Sequence, residues 1–106
     1  MPAFYLDGVQ MNTVVSEWTE GLDSCNIVLG FLEKCPQLFS NINKTRVMDL
    51  SFEYFRLSLI WHYIAVQFKR NPSDRLKEML FELHDRGLQL NKECDAMNFQ
   101  LLANIT

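Results

Sequence analysis

Glycine and proline are scarce in this chain of 106 residues, at four and three. Gly8, Gly21, Gly30 and Gly87 stand alone, so there is no glycine-rich loop to cradle a phosphate, and no collagen-like or low-complexity repeat. Cysteine is limited to Cys25, Cys35 and Cys94, an odd number without C-x-x-C or other metal-ligand spacing. Free thiols in a reducing compartment, the cytoplasm, are the expectation. Basic charge is not in excess: 10 Lys and Arg face 13 Asp and Glu, a net charge of -3. A nucleic-acid binder draws most of its affinity from a basic face, so nucleic acid is not an expected partner. No helix-turn-helix or RNA-binding aromatic motif is present either. The most apolar run, Leu57 to Phe68, is interrupted by Ser58, His62 and Gln67 and falls short of the ~20 residues a membrane span needs. The first eight residues reach Asp7 without a basic region or a long apolar run, which argues against a signal peptide. The sequons at Asn43-Lys44-Thr45 and Asn104-Ile105-Thr106 therefore read as chance matches.

What is present is an ordinary globular composition, 48% hydrophobic and 22% charged. At this length one domain, 1–106, is expected, burying roughly 65% of the unfolded chain's surface without a staple. Positive charge gathers in the middle: residues 36–70 hold five cations and two anions, against one and five in 1–35 and four and six in 71–106.

Periodicity predicts an all-α fold. Met11, Val15, Trp18, Leu22, Cys25, Leu29 and Leu32 recur at steps of four and three, as do Leu76, Leu80, Leu83, Gly87, Leu90, Cys94, Met97 and Leu101. Between them, Arg46 to Arg70 runs without glycine or proline until Asn71-Pro72-Ser73 stops it. The expected helices span about 12–35, 46–70 and 73–103, capped by Asn12, Thr45 and Ser73, with 36–45 as connector. A break at Gly21, recapped by Asp23-Ser24, would make four helices of three; the unbroken seam favours three, kinked near Gly21 at most. Phe4-Tyr5-Leu6, Asp7-Gly8 and Val9-Gln10-Met11 suggest a short hairpin or an arm over 1–11. Short connections make the whole an antiparallel bundle, and Gly87 on its seam admits a large neighbouring side chain.

The central helix carries two apolar stripes rather than one. At ~100° per residue, Val47, Leu50, Tyr54, Leu57, Trp61, Ile64 and Phe68 form one, and Met48, Phe52, Phe55, Leu59, Tyr63 and Val66 lie nearly opposite. A bundle helix needs a single buried stripe. The second requires cover, from the arm and connector (Phe4, Tyr5, Leu6, Leu38, Phe39, Ile42) or from another subunit. A two-fold homodimer through Met48, Phe52, Phe55, Leu59, Tyr63 and Val66 is the favoured expectation.

Constellations able to carry chemistry are few. Glu17-x-x-Glu20 and Glu82-x-x-Asp85, with Glu78 one turn before, place paired carboxylates on helix faces, where such pairs can hold a divalent metal beside a phosphate. In residue type the pattern resembles the all-α nucleotide pyrophosphohydrolases of the MazG kind. There the pairs lie on consecutive helices a few turns apart; here most of the chain separates them. The resemblance implies a metal-dependent phosphohydrolase using Glu17, Glu20, Glu82 and Asp85, whereas their position opposite the seams implies solvated charge, with no metal or other cofactor. His84 and His62 have Phe81 and Leu59 three residues before them, so neither completes a Glu-x-x-His di-iron motif. His62, Ser58 and Ser51 share a narrow side of the central helix, but no carboxylate there orients the imidazole for hydrolysis. Cys25 and Cys94 fall on seams as inert core thiols, and Cys35 follows Lys34 at a helix C-terminus, where the dipole disfavours thiolate. Lys44, Arg46, Arg56, Lys69 and Arg70 read as a solvated, ion-pairing face.

The expected function is a non-catalytic helical interaction module that self-associates and presents a surface to a protein partner. The first alternative is a binder of a small apolar or aromatic ligand between Tyr54, Phe55, Ser58, Trp61 and His62. The second is the phosphohydrolase.

Overall fold

The computed structural model describes residues 5, 6 and 9–106. Two short strands, β1 (Tyr5–Leu6) and β2 (Val9–Gln10), lead into three helices, α1 (Met11–Lys34), α2 (Lys44–Arg70) and α3 (Asp74–Ile105). The fold is the expected all-α three-helix bundle. β1 and β2 pair antiparallel, Tyr5 opposite Gln10 and Leu6 opposite Val9, so the hairpin forms. Met11 belongs to α1 rather than to a strand, and Phe4 and the Asp7-Gly8 turn lie outside the described residues.

Two expected caps are each displaced by two residues. α1 starts from Gln10, which supplies no side-chain cap, so Asn12 is already helical; Thr13 tightens the first turn by donating its hydroxyl to the Gln10 carbonyl at 2.8 Å. α2 starts from Asn43, whose side-chain oxygen accepts the Arg46 N–H at 3.2 Å, so Thr45 is already helical. Asn43 is the better cap because its amide oxygen reaches back to the free donors of the first turn. Ser73 caps α3 as expected, accepting the Leu76 N–H at 3.2 Å, and Asp74 adds a carboxylate to the positive end of the dipole.

Contacts between helices fix their directions. Tyr54 packs on Gly21 and Trp61 meets Trp18 edge-on with ring centroids 5.5 Å apart, so α2 runs antiparallel to α1. Trp18 packs on Gly87 and Gly21 faces Cys94, so α3 runs parallel to α1. The order is up, down, up. Arg46 pairs with Glu93 and Glu53 with Arg86 along the α2–α3 edge, half-exposed contacts worth at most about 1 kcal/mol each.

Gly21 does not break α1. A Cβ there would collide with the Tyr54 ring, and one at Gly87 with the Trp18 indole, so both glycines are seats for aromatic side chains. The connector folds back over the end of the bundle, with Phe39 and Ile42 buried and the Asn41 side chain bonded to Asn104. Leu6 is buried in the same core cluster.

The bundle measures 52 × 21 × 21 Å, with a radius of gyration of 16.2 Å. A compact domain of this length has about 13 Å. The excess comes from helix length, since 32 residues at ~1.5 Å per residue reach about 48 Å. Each helix therefore keeps one long side facing outward. Among the described residues no helix is long and apolar enough to cross a membrane.

Candidate functional site

The two stripes of α2 meet different fates. Val47, Leu50, Tyr54, Leu57, Trp61 and Ile64 are buried against α1 and α3, and Phe68 is half-buried at the end of the row. On the opposite side Met48 is 41% exposed, Phe52 62%, Phe55 54%, Leu59 58% and Tyr63 67%. Only Val66, the last of the row, is half-buried. The internal cover is spent elsewhere: Leu6, Phe39 and Ile42 go into the core, while Tyr5 and Leu38 are themselves exposed. Among the described residues nothing of this chain covers the outer stripe.

At about half exposure of side chains that each offer ~150–250 Å², the outer stripe presents roughly 500 Å² of continuous apolar surface, at the upper end of what a lone protein shows. Its borders are polar. Asp49 and Arg56 stand exposed on one edge, where Glu53 reaches Arg86 of α3, and Ser51, Ser58 and His62 form the other. An apolar strip with a polar rim has the build of an interface.

The stripe is also close to symmetric about its own centre. Phe55 and Leu59 stand two residues either side of Leu57, Phe52 and Tyr63 five and six, and Met48 and Val66 nine. Two copies of α2 crossing antiparallel at that level would set each apolar residue opposite another.

The five residues considered for a ligand pocket are not brought together. Tyr54 turns inward and donates its hydroxyl to Asn91 Oδ1 at 2.8 Å, and Phe55 points out on the exposed stripe. Ser58 donates its hydroxyl to the Tyr54 carbonyl one turn back, at 2.9 Å. Trp61 packs on Trp18, and His62 is exposed at a cleft of about 440 Å³ that it and Trp61 share with Met11, Val15, Ala65 and Val66. The five positions span about 120° of the helix surface, so Tyr54 and Trp61 at one edge turn into the core while Phe55 at the other turns to the outer stripe.

The four carboxylates divide in the same way. Glu17 and Glu20 line a cleft of about 270 Å³ between α1 and α3, with Asp95, Asn91 and Asn98 across it and Tyr54 and Cys94 at its base. Glu82 and Asp85 are exposed on α3, ten or more residues before Asp95 and so about 15 Å or more along the helix from it. Among the described residues no three His, Cys, Asp or Glu side chains stand close enough together to hold a metal ion.

At the base of that cleft buried Cys94 and Cys25 are near enough for each thiol to act on the other, while Cys35 lies exposed beyond the end of α1. The Cys25 contact lowers the Cys94 thiol below the ordinary thiol range; burial opposes this, the Tyr54 and Ser24 hydroxyls assist and the Asp95 carboxylate resists. Cys25 is raised by its contact with Cys94 and by its burial. Burial, foremost, also raises Tyr54. Each residue here except Asp95 and the two asparagines was visible in the sequence, but as a separate member of a seam or face. Which seam residue of α1 meets which of α3 depends on the sliding of two helices, and a heptad-like spacing repeats at every slide.

Compared with known protein families, curated proteins and solved structures, the chain matches none.

Proposed function

We propose that this protein is a non-catalytic interaction module that self-associates through the outer face of α2, two copies crossing antiparallel about a two-fold axis level with Leu57. The observation that carries the reading is the uncovered stripe of Met48, Phe52, Phe55, Leu59 and Tyr63. Two such faces would remove roughly 1,000 Å² from water, the lower bound for a specific interface, so a dimer of modest affinity is expected. The proposal commits the face to a second copy; a different protein there is the reading that a monomeric chain would leave.

The antiparallel register supplies a direct test. It sets Phe55 of one copy against Leu59 of the other, so Leu59→Lys buries two like charges beside one axis, each against an apolar side chain, as does Phe55→Glu. Each variant alone should run as a monomer with its helical content kept. Mixed in equal amounts they should associate, because lysine then meets glutamate across the axis. Variants that stay dimeric alone, or that fail to associate when mixed while each remains folded, would contradict this arrangement.

A further inference from the structure

A second feature lies on another side of the bundle and is independent of self-association. Read alone, Cys25 and Cys94 are core thiols, the first fully buried and the second 4% exposed. Their arrangement sets them apart. The Cys94 sulfur lies 4.0 Å from the carbonyl oxygen of Gly21, one helical turn before Cys25. A side chain of α3 therefore touches the backbone of α1 at the level where Cys25 projects, which sets the two buried thiols at the same level of the α1–α3 seam. Asn98 donates its amide to the Cys94 sulfur at 3.7 Å, so that sulfur has a donor suited to a thiolate. Cys94, and not Cys25, lines the cleft of about 270 Å³ that opens to solvent between Glu17, Glu20 and Asp95. One sulfur thus has a path to a small reagent and the other waits behind it.

We propose that Cys25 and Cys94 form an oxidation site, at which hydrogen peroxide entering the α1–α3 cleft reacts with Cys94 and Cys25 then closes a disulfide between the two helices. In the first step the Cys94 thiolate attacks one peroxide oxygen; an S–O bond forms, the O–O bond breaks, and the departing hydroxide takes up the proton that Cys94 released. Cys94 is then a sulfenic acid. In the second step the Cys25 sulfur attacks the Cys94 sulfur; the S–S bond forms, the S–O bond breaks, and the hydroxyl leaves as water with the Cys25 proton. Two thiols and one peroxide give one disulfide and two waters. The anionic rim selects for an uncharged oxidant over an anionic one such as oxidised glutathione. α1 and α3 share the thinnest of the three helix pairings, so this is where a covalent link adds most.

The test uses the full-length chain, fully reduced and then treated with a small excess of hydrogen peroxide at neutral pH. Peptide mapping after alkylation in denaturant should show Cys25 linked to Cys94 within a single chain and Cys35 still alkylated. With Cys25→Ser, Cys94 should instead stop at the sulfenic acid and be trapped by dimedone; with Cys94→Ser, Cys25 should remain a thiol; Cys35→Ser should leave the linkage unchanged. Oxidised glutathione at the same concentration should form the linkage at least tenfold more slowly. Recovery of Cys25 and Cys94 as free thiols while Cys35 is oxidised would overturn the proposal, and the wild-type map decides this even if a serine variant does not fold.

Discussion

Three glycines in α1 and α3 separate packing from propensity one residue at a time. At Gly21 and Gly87 an added methyl collides with the rings of Tyr54 and Trp18, both buried and confined on every side, so alanine must push an aromatic out of its seat. Overpacking of this kind costs about 1–3 kcal/mol. At Gly30 nothing lies within 4 Å of the new Cβ, and alanine there removes only the entropic penalty of glycine in a helix. Thermal melts should therefore place Gly21→Ala and Gly87→Ala below the wild type, and Gly30→Ala above it by about 0.5–1 kcal/mol. The sequence suggested the role of Gly87 and left Gly21 as a break or a kink in an otherwise unbroken seam, because a glycine mid-helix looks the same whether it bends the chain or admits a neighbour. The thiols give a second check. A bulky thiol reagent should label exposed Cys35 rapidly in the native protein and Cys25 and Cys94 slowly, and equal rates at all three would contradict the packing of α1 on α3.

Among the elements, α2 is the one whose composition exceeds what its place in the bundle requires. A central helix in a three-helix bundle buries one side, and the row from Val47 to Ile64 does so. This much was legible from residue spacing, as were all three helices to within two residues at each end. The opposite row was legible too. What spacing could not tell was whether the connector and hairpin would fold over it, since a flexible segment rich in Leu, Phe and Ile fits either place. The structure resolves this: Phe39 and Ile42 plug the end of the bundle and Leu6 joins the same core. The cap of α2 was misplaced by two residues because Asn43 and Thr45 are both good cap formers, and only the path of the connector chooses between them. Asn43→Ala should cost about 1 kcal/mol in denaturant melts, and Thr45→Ala distinctly less. Outward carboxylates on α3 belong to this scale as well. Glu82→Gln with Asp85→Asn should shift stability by less than about 1 kcal/mol, with no change in any response to magnesium; a lost magnesium response would revive the phosphohydrolase reading.

For the whole molecule, shape and surface point the same way. A rod 52 Å long and 21 Å across leaves the outer face of α2 free along most of its length, with none of the described residues shielding it. A partner laid along that face meets an apolar strip bordered by charge, and an identical partner laid antiparallel meets matching residues throughout. Sedimentation of the wild-type chain across micromolar concentrations tests this most directly. The account predicts a mass rising from the 12.5 kDa of the chain toward twice that value as concentration increases, and a mass held at 12.5 kDa for folded Leu59→Lys under the same conditions. A wild type that stays at 12.5 kDa throughout would contradict it.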